Sequence, residues 1–326
     1  CLFNMTDVEN QERIRIPSVV WSHYVGKEHS YEMLYPFDWT MREIPIENID
    51  SDNTLNISPA IRCVDFCYSA NDVDINVMIV KEPLPKDVQL REYYQLCKQQ
   101  FQKSGIPLTS VTVRDVKLSE IDAKQFTYSP LTTIDISRRF TIKDHHAITI
   151  TCESRNNQTL DIEPVFERMM DSFCFLEEQS GKSENNLYLY ENYEEMISLE
   201  FPPDLKYSHD SGLISLYDES DPNSVFEVQC IEPPTDEAVL GDLSSTYEYF
   251  IKDISESVTP SKPESFYIPE IDCNGLEFTL SGVSPNVSSN QITRIAMFNG
   301  KLYCWSLTQA GDSQLKSLFS TFKFLV

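Results

Sequence analysis

The sequence predicts an α+β protein of two similar tandem domains, each a mostly antiparallel sheet with helices packed on it. Three observations carry this reading. The chain has 326 residues, long for one compact core and suited to two domains of roughly 150 residues. It is 41% hydrophobic and 11% aromatic, enough to build real cores and to argue against global disorder. The chain also matches itself: Phe173-Cys174-Phe175-Leu176 and Phe322-Lys323-Phe324-Leu325 each close a helix-like run.

The elements follow in order. At the front of each copy, "YPFDW" with Pro36 and Asp38 answers "FPPDL" with Pro202 and Asp204, an offset of 166 (202 − 36). Glu82-Pro83 then answers Glu232-Pro233 at an offset of 150 (232 − 82). The first copy therefore holds about 16 extra residues (166 − 150), assigned to the polar loop "IENIDSDNTLNIS". A helix comes next, because Leu90, Tyr93, Cys97 and Phe101 share one face, and Leu240, Leu243, Tyr247 and Ile251 repeat the spacing. Asp87 and Asp236 are the expected caps. Alternating Phe126 and Tyr128, answered by Leu276 and Phe278, read as strands.

"RFTIKDHHAIT" from Arg139 matches "RIAMFNGKLYC" from Arg294 at 155 (294 − 139), and each reads as two strands around a tight turn. Asn299-Gly300 is a good hairpin signal. Val165, Phe166, Met169 and Met170 mark the last helix of the first copy, and Leu315, Leu318, Phe319 and Phe322 that of the second. The expected boundaries are an N-terminal extension at 1–30 carrying "IPSVVW", a first domain at 31–177, a polar linker at 178–189 and a second domain at 190–326.

Charge narrows the function. The balance of 26 basic against 51 acidic residues gives −25, which argues against nucleic acid and anionic lipid as partners. Such charge serves solubility and repels acidic partners, and a basic partner surface is the sharper reading. No apolar run approaches the roughly 20 residues of a membrane-spanning helix, so no transmembrane segment is expected. The chain opens on Cys1 instead of Met, which reads as a processed or partial chain, with Cys1 the candidate lipid-attachment residue of a lipoprotein. Nine cysteines without paired C-x-x-C spacing read as free, mostly buried thiols. That favours a reducing, cytoplasmic compartment, with a lipid-anchored membrane surface as an alternative. Sequons at Asn4, Asn56, Asn157 and Asn286 decide nothing.

Chemistry-bearing patterns are weak. His145-His146 falls in a predicted turn and reads as a solvated hairpin, not a metal pair. Ser208, His209 and Asp210 are adjacent, whereas a relay needs side chains converging from separate segments. Asp218, Glu219 and Asp221 read as an acidic hairpin, lacking the ligand spacing and Gly turn of a calcium loop. Cys63 and Cys67 are expected on one strand face as packing residues. Tyr93, Tyr94, Tyr247 and Tyr249 read as core or rim aromatics, with any exposed remainder serving a protein interface. No catalytic, cofactor-binding or metal residue is assigned.

"NGKLYCWSLTQAGDSQLKSLFSTFKFL" from Asn299 resembles the C-terminal end of PsbP-like proteins, with a Gly-Lys-Leu-Tyr hairpin before a helix and a final strand. In the first copy, Glu82-Pro83-Leu84-Pro85 leading into a Tyr-bearing helix resembles related bacterial domains of the Mog/PsbP superfamily. The resemblance covers about residues 31–177 and 190–326. It implies two tandem α/β/α sandwiches and a non-catalytic role, as an accessory subunit of a photosynthetic complex in the thylakoid lumen or as a chaperone in a secretion assembly. The tandem arrangement departs from the usual single-domain member, and no ligand residue carries over.

The leading expectation is a non-enzymatic protein-binding scaffold, accessory subunit or chaperone of a larger membrane-associated or secretion assembly, needing no cofactor. The alternatives are a lipoprotein anchored through Cys1 and an enzyme built from isolated residues such as His209 or Asp38.

Overall fold

A computed structural model describes residues 14–16, 18–26, 30–44, 61–70, 73–86, 88–157, 160–176, 187–210, 212–231, 243–252, 254, 258–282, 290–309 and 314–326. It divides into two compact units, residues 1–16 with 21–184 and residues 17–20 with 185–326. Outside the described residues lie Cys1, Asn4, His29, the loop at 46–58 with Asn56, the caps Asp87 and Asp236, Glu232-Pro233, Leu240, Asn286 and most of the expected linker.

The first unit runs β1 (Ile14–Arg15), β2 (Ser18–Gly26, in this unit from Trp21 on), β3 (Tyr31–Pro36), β4 (Thr40–Glu43), β5 (Ile61–Ala70), β6 (Val73–Pro83), α1 (Leu90–Lys103), β7 (Thr112–Leu118), β8 (Ile121–Leu131), β9 (Ile134–Lys143), β10 (His146–Arg155), β11 (Leu160–Asp161), α2 (Glu163–Ser172) and β12 (Cys174–Phe175). Its main sheet is antiparallel throughout, in the order β4-β5-β6-β10-β9-β8-β7. β6 alternates as a strand buried on one face should, with Val73, Ile75, Val77 and Ile79 inward. β9 and β10 turn through Asp144-His145 with φ of 48° and 62°, the geometry of a two-residue type I′ hairpin. β2, β3 and β12 form a separate antiparallel ribbon.

The two faces of the main sheet carry different helices. Phe126 and Phe140 pack under α1, where Phe101 meets Phe126 edge-on at 5.0 Å and Tyr93 meets Phe140 at 5.4 Å. Their neighbours Gln125 and Arg139 bond to side chains of α2 and therefore face the other way. α1 is capped by Gln89, whose N–H donates to Glu92 at 2.8 Å.

The second unit runs β13 (Tyr188–Asn192), β14 (Ile197–Phe201), β15 (Lys206–Asp210), β16 (Leu213–Asp218), β17 (Asp221–Ile231), α3 (Leu243–Lys252), β18 (Thr259–Pro260), β19 (Glu264–Ile268), β20 (Cys273–Ser281), β21 (Asn290–Phe298), β22 (Lys301–Gln309), α4 (Leu318–Thr321) and β23 (Lys323–Phe324). Its main sheet has the order β15-β16-β17-β22-β21-β20, with β18 and β19 both pairing β20. Strand for strand, this is the order of the first sheet. β13, β14 and β23 make an antiparallel ribbon as β2, β3 and β12 do. The front turns agree as well: Trp39 N–H donates to Pro36 at 3.0 Å, and Leu205 N–H donates to Pro202 at 3.2 Å. Asn299-Gly300, with φ of 50° and 77°, closes the second type I′ hairpin.

Several expectations change. The boundary expected between residues 30 and 31 falls inside the β2–β3 hairpin, whose Trp21 is wholly buried. An indole of that size is a core residue, so β2 is a structural strand and not an appended segment. The last helix of the second copy is a 3₁₀ turn at Gln314–Ser317 followed by the four-residue α4. In and just past α3, Tyr247, Phe250 and Ile254 lie against the sheet, spaced as Tyr94, Cys97 and Phe101 are in α1. The helices thus correspond at 153 (247 − 94) instead of 150. Cys63 and Cys67 part company because β5 and β6 change register around Cys63. This β-bulge breaks the strict alternation that the four-residue spacing assumed. Cys63 is wholly buried, while Cys67 is exposed and bonds Asn76 at 3.3 Å.

Candidate functional site

The residues singled out from sequence do not converge. Ser208, His209 and Asp210 line up exposed on the edge strand β15 of the second unit. Asp38 sits in the exposed turn after β3 of the first. His145 occupies its hairpin turn, exposed. Asp218 closes the β16–β17 turn by accepting from the Ser220 hydroxyl and N–H, each at 2.7 Å, and the hydroxyl first and the N–H second hold its carboxyl below the usual range. His23 lies 3.4 Å from Glu32 across the β2–β3 ribbon. Among the described residues, no group of three or more His, Cys, Asp or Glu is placed to hold a metal.

The described thiols are all free. Burial raises the pKa of Cys63 and Cys97 to about 11, and that of Cys304 to about 12. Only part of the expected burial holds, because Cys67 and Cys174 are exposed. Tyr93 is partly buried against Phe140, and its hydroxyl donates to Glu82 at 2.6 Å; burial first and this bond second push its pKa up.

A groove of about 780 Å³ lies in the first unit. One wall is the flank of α1 bearing Leu90, Arg91 and Tyr94, and the floor is the β7–β8 hairpin. Across the floor, Lys117 pairs with Asp122 at 2.5 Å and Lys124 pairs with Asp115. Tyr94 stacks on Phe126 and carries the ammonium groups of Lys98 and Lys124 at 5.4 and 5.3 Å from its ring centre. β7 is the last strand of its sheet among the described residues, and Thr112 through Asp115 are exposed along it. An open groove beside an exposed strand edge can accept an extended segment through main-chain hydrogen bonds.

Sequence reasoning missed an ionic cluster around a buried arginine on the opposite face. The Arg139 side chain is only 3% exposed. It donates to Gln125 at 2.9 Å, Glu167 at 2.8 Å and Asp171 at 2.6 Å. The legible signal was Glu163, Glu167 and Asp171 at four-residue intervals, one acidic stripe along α2. Every donor contact of Arg139 found here ends on an acceptor within the unit, so the cluster reads as structure.

No protein-family model matches the chain, and no curated protein matches it. Solved structures do match. The cyanobacterial PsbP (CyanoP) of Synechocystis sp. PCC 6803 is 18% identical, covers 46% of this chain and 98% of its own, and has a TM-score of 0.35. The immunity protein TplEi of the T6SS from Pseudomonas aeruginosa is 7% identical over 94% of this chain and 97% of its own, with a TM-score of 0.26. The Tle4–Tli4 complex gives 9% identity over 94% and 97%, also at 0.26. Likeness at this level assigns neither activity nor partner. No described helix is long and apolar enough to cross a membrane.

Proposed function

We propose that the chain is a non-catalytic protein-binding scaffold, accessory subunit or chaperone of a larger assembly, built from two duplicated Mog/PsbP-like α/β/α sandwich domains. The strand order repeated in the two sheets supports the duplication. The carrying observation for binding is the groove between α1 and the exposed edge strand β7, which has the form of a cleft for an extended peptide segment. Its floor charges are paired internally, so an incoming backbone meets a surface that needs no counter-charge.

The test is a photo-crosslinking residue placed at Gln95, on the groove wall, in the native host. One stoichiometric partner should be captured, and Tyr94→Ala should reduce co-purification of that same partner at least fivefold without altering the far-ultraviolet circular dichroism. A partner captured equally by the Tyr94→Ala chain, or none at all, would sink the groove reading.

A further inference from the structure

The free edge of β7 is open where its counterpart in the second unit is not. Thr112, Val113, Arg114, Asp115 and Lys117 are exposed along it, and among the described residues no strand pairs with this side. The counterpart, β18 with β19, carries Pro260 and, between its two pieces, Pro263. Proline has no N–H to give to a ladder, so that edge is blunted against pairing. β7 holds no proline.

The backbone phase of β7 follows from its turn. Ser119 and Glu120, with φ of 50° and 64°, close a two-residue hairpin that sets Leu118 opposite Ile121. Residues flanking such a turn form a hydrogen-bonded pair, and the bonding alternates from there. Leu118, Val116, Arg114 and Thr112 therefore turn their main-chain groups toward β8. Lys117, Asp115 and Val113 turn theirs to the open edge.

The sequence of β7 is complementary to itself in one register. Two antiparallel copies related by a two-fold axis normal to the sheet keep like faces together, so residues of equal parity stand opposite. Centring the pair on Arg114, Asp115 or Lys117 sets like charges against each other. Centring it on Thr112, Val113 or Leu118 leaves Asp115 with no cation opposite. Centring it on Val116 sets Asp115 of each copy against Lys117 of the other, and both residues are among those with outward main-chain groups. Within one chain, Lys117 already pairs with Asp122 at 2.5 Å and Asp115 with Lys124. The row through two copies then alternates in sign from end to end: Asp122 and Lys117 of one, Asp115 and Lys124 of the other. A chain of −25 repels its copy at long range, and β7, with two cations and one anion, is a place where that repulsion is relieved.

We propose that the chain forms a two-fold dimer by pairing β7 with β7 of a second copy, centred on Val116. This rests on the reading of the groove as a seat for an extended segment, and it names that segment. The pairing is short, so the dimer belongs with the small, transient interfaces of under about 1,200 Å². It also sets the α1 walls of the two grooves on one face of a continuous sheet.

Sedimentation equilibrium of the whole chain at about 0.15 M salt, where long-range repulsion is screened, should show concentration-dependent dimers. Asp115→Lys and Lys117→Asp should each weaken the dimer tenfold or more, by facing cation with cation or carboxylate with carboxylate. Mixed together, the two variants should recover the parent's affinity to within threefold, because each cation then meets a carboxylate of the other chain. Under mild oxidation Val116→Cys should give a disulfide-linked dimer above the parent's background, since position 116 faces itself at about 4.5 Å between Cα atoms. Arg114→Cys should not. A chain monomeric throughout, a mixture no tighter than its components, or a disulfide formed as readily by Arg114→Cys would each overturn the proposal. A disulfide dimer formed by Ser208→Cys and not by Val116→Cys would move the contact to β15, an edge of the second sheet, and overturn it as well. A monomer that still captures another protein at Gln95 would leave the protein-binding reading standing and remove this one. A dimer whose Gln95 captures no other protein would keep this inference and remove that reading.

Discussion

Arg139 and Arg294 occupy matching strands of the two units, β9 and β21, and solve one problem differently. Each faces the second helix of its unit, and each has a side chain from the preceding strand directly across: Gln125 opposite Arg139, Glu277 opposite Arg294. Arg139 is almost fully buried and takes its counter-charges from α2. Among the described residues, the segment over Arg294 contributes no carboxylate to it. There the guanidinium lies 4.9 Å from the Phe266 ring and 4.8 Å from the Phe319 ring, pairs with Glu277 at 2.6 Å, and keeps 27% exposure. One position can thus be neutralised by helix carboxylates or by a cross-strand carboxylate between aromatic faces.

The aromatic solution depends on a second exchange one pair along. In the first unit Val116 opposes Ala123, while in the second Phe266 opposes Gly275. A Cβ on Gly275 would sit 2.6 Å from the Phe266 ring and 2.9 Å from the Ile295 carbonyl. The glycine is required so that the larger ring can lie flat across the strand and reach Arg294. Large-with-small replaces medium-with-medium, and the arginine's environment follows.

This comparison can be broken or sharpened by hydrogen exchange, which reads each unit separately within the whole chain. Arg139→Met should have the largest effect, lowering local stability of the first unit by about 3 kcal/mol, because it removes the charged hydrogen bonds to α2 and leaves the buried Gln125 amide oxygen without its donor. Gly275→Ala should cost about 2 kcal/mol in the second unit through overpacking. Adding Phe266→Val should recover most of that loss, and an additive double mutant would refute the large–small coupling. Arg294→Met should cost only about 1 kcal/mol, since the pair is partly exposed. Equal losses for Arg139→Met and Arg294→Met would erase the distinction between the two solutions.

Alkali should weaken both units together. Cys63 and Cys97 in the first, and Cys230 and Cys304 in the second, have folded pKa values raised by burial from 9.0 to about 11 or 12. Above about pH 9 the unfolded chain releases these protons while the folded chain keeps them, so stability falls as pH rises. A stability flat from pH 8 to 11 would contradict this. Mass mapping after brief alkylation at neutral pH should find Cys67 and Cys174 modified before Cys63, Cys97, Cys152 and Cys304.

By itself the sequence determined the hairpins and the two helix positions of the first unit. Those features depend on local rules: period-2 alternation at Phe126 and Tyr128, the 3.6-residue face of Leu90 through Phe101, and the Asn299-Gly300 turn. Only the tertiary structure decided that Trp21 belongs to a core strand, that Cys63 sits at a bulge, and that Phe266 needs Gly275. The groove is likewise joined from segments tens of residues apart, α1 with β7–β8. The physical reason is range. Backbone propensity and amphipathic pattern are written into neighbouring residues, whereas complementary volume, burial of charge and the shape of a cavity exist only between segments that the fold brings together.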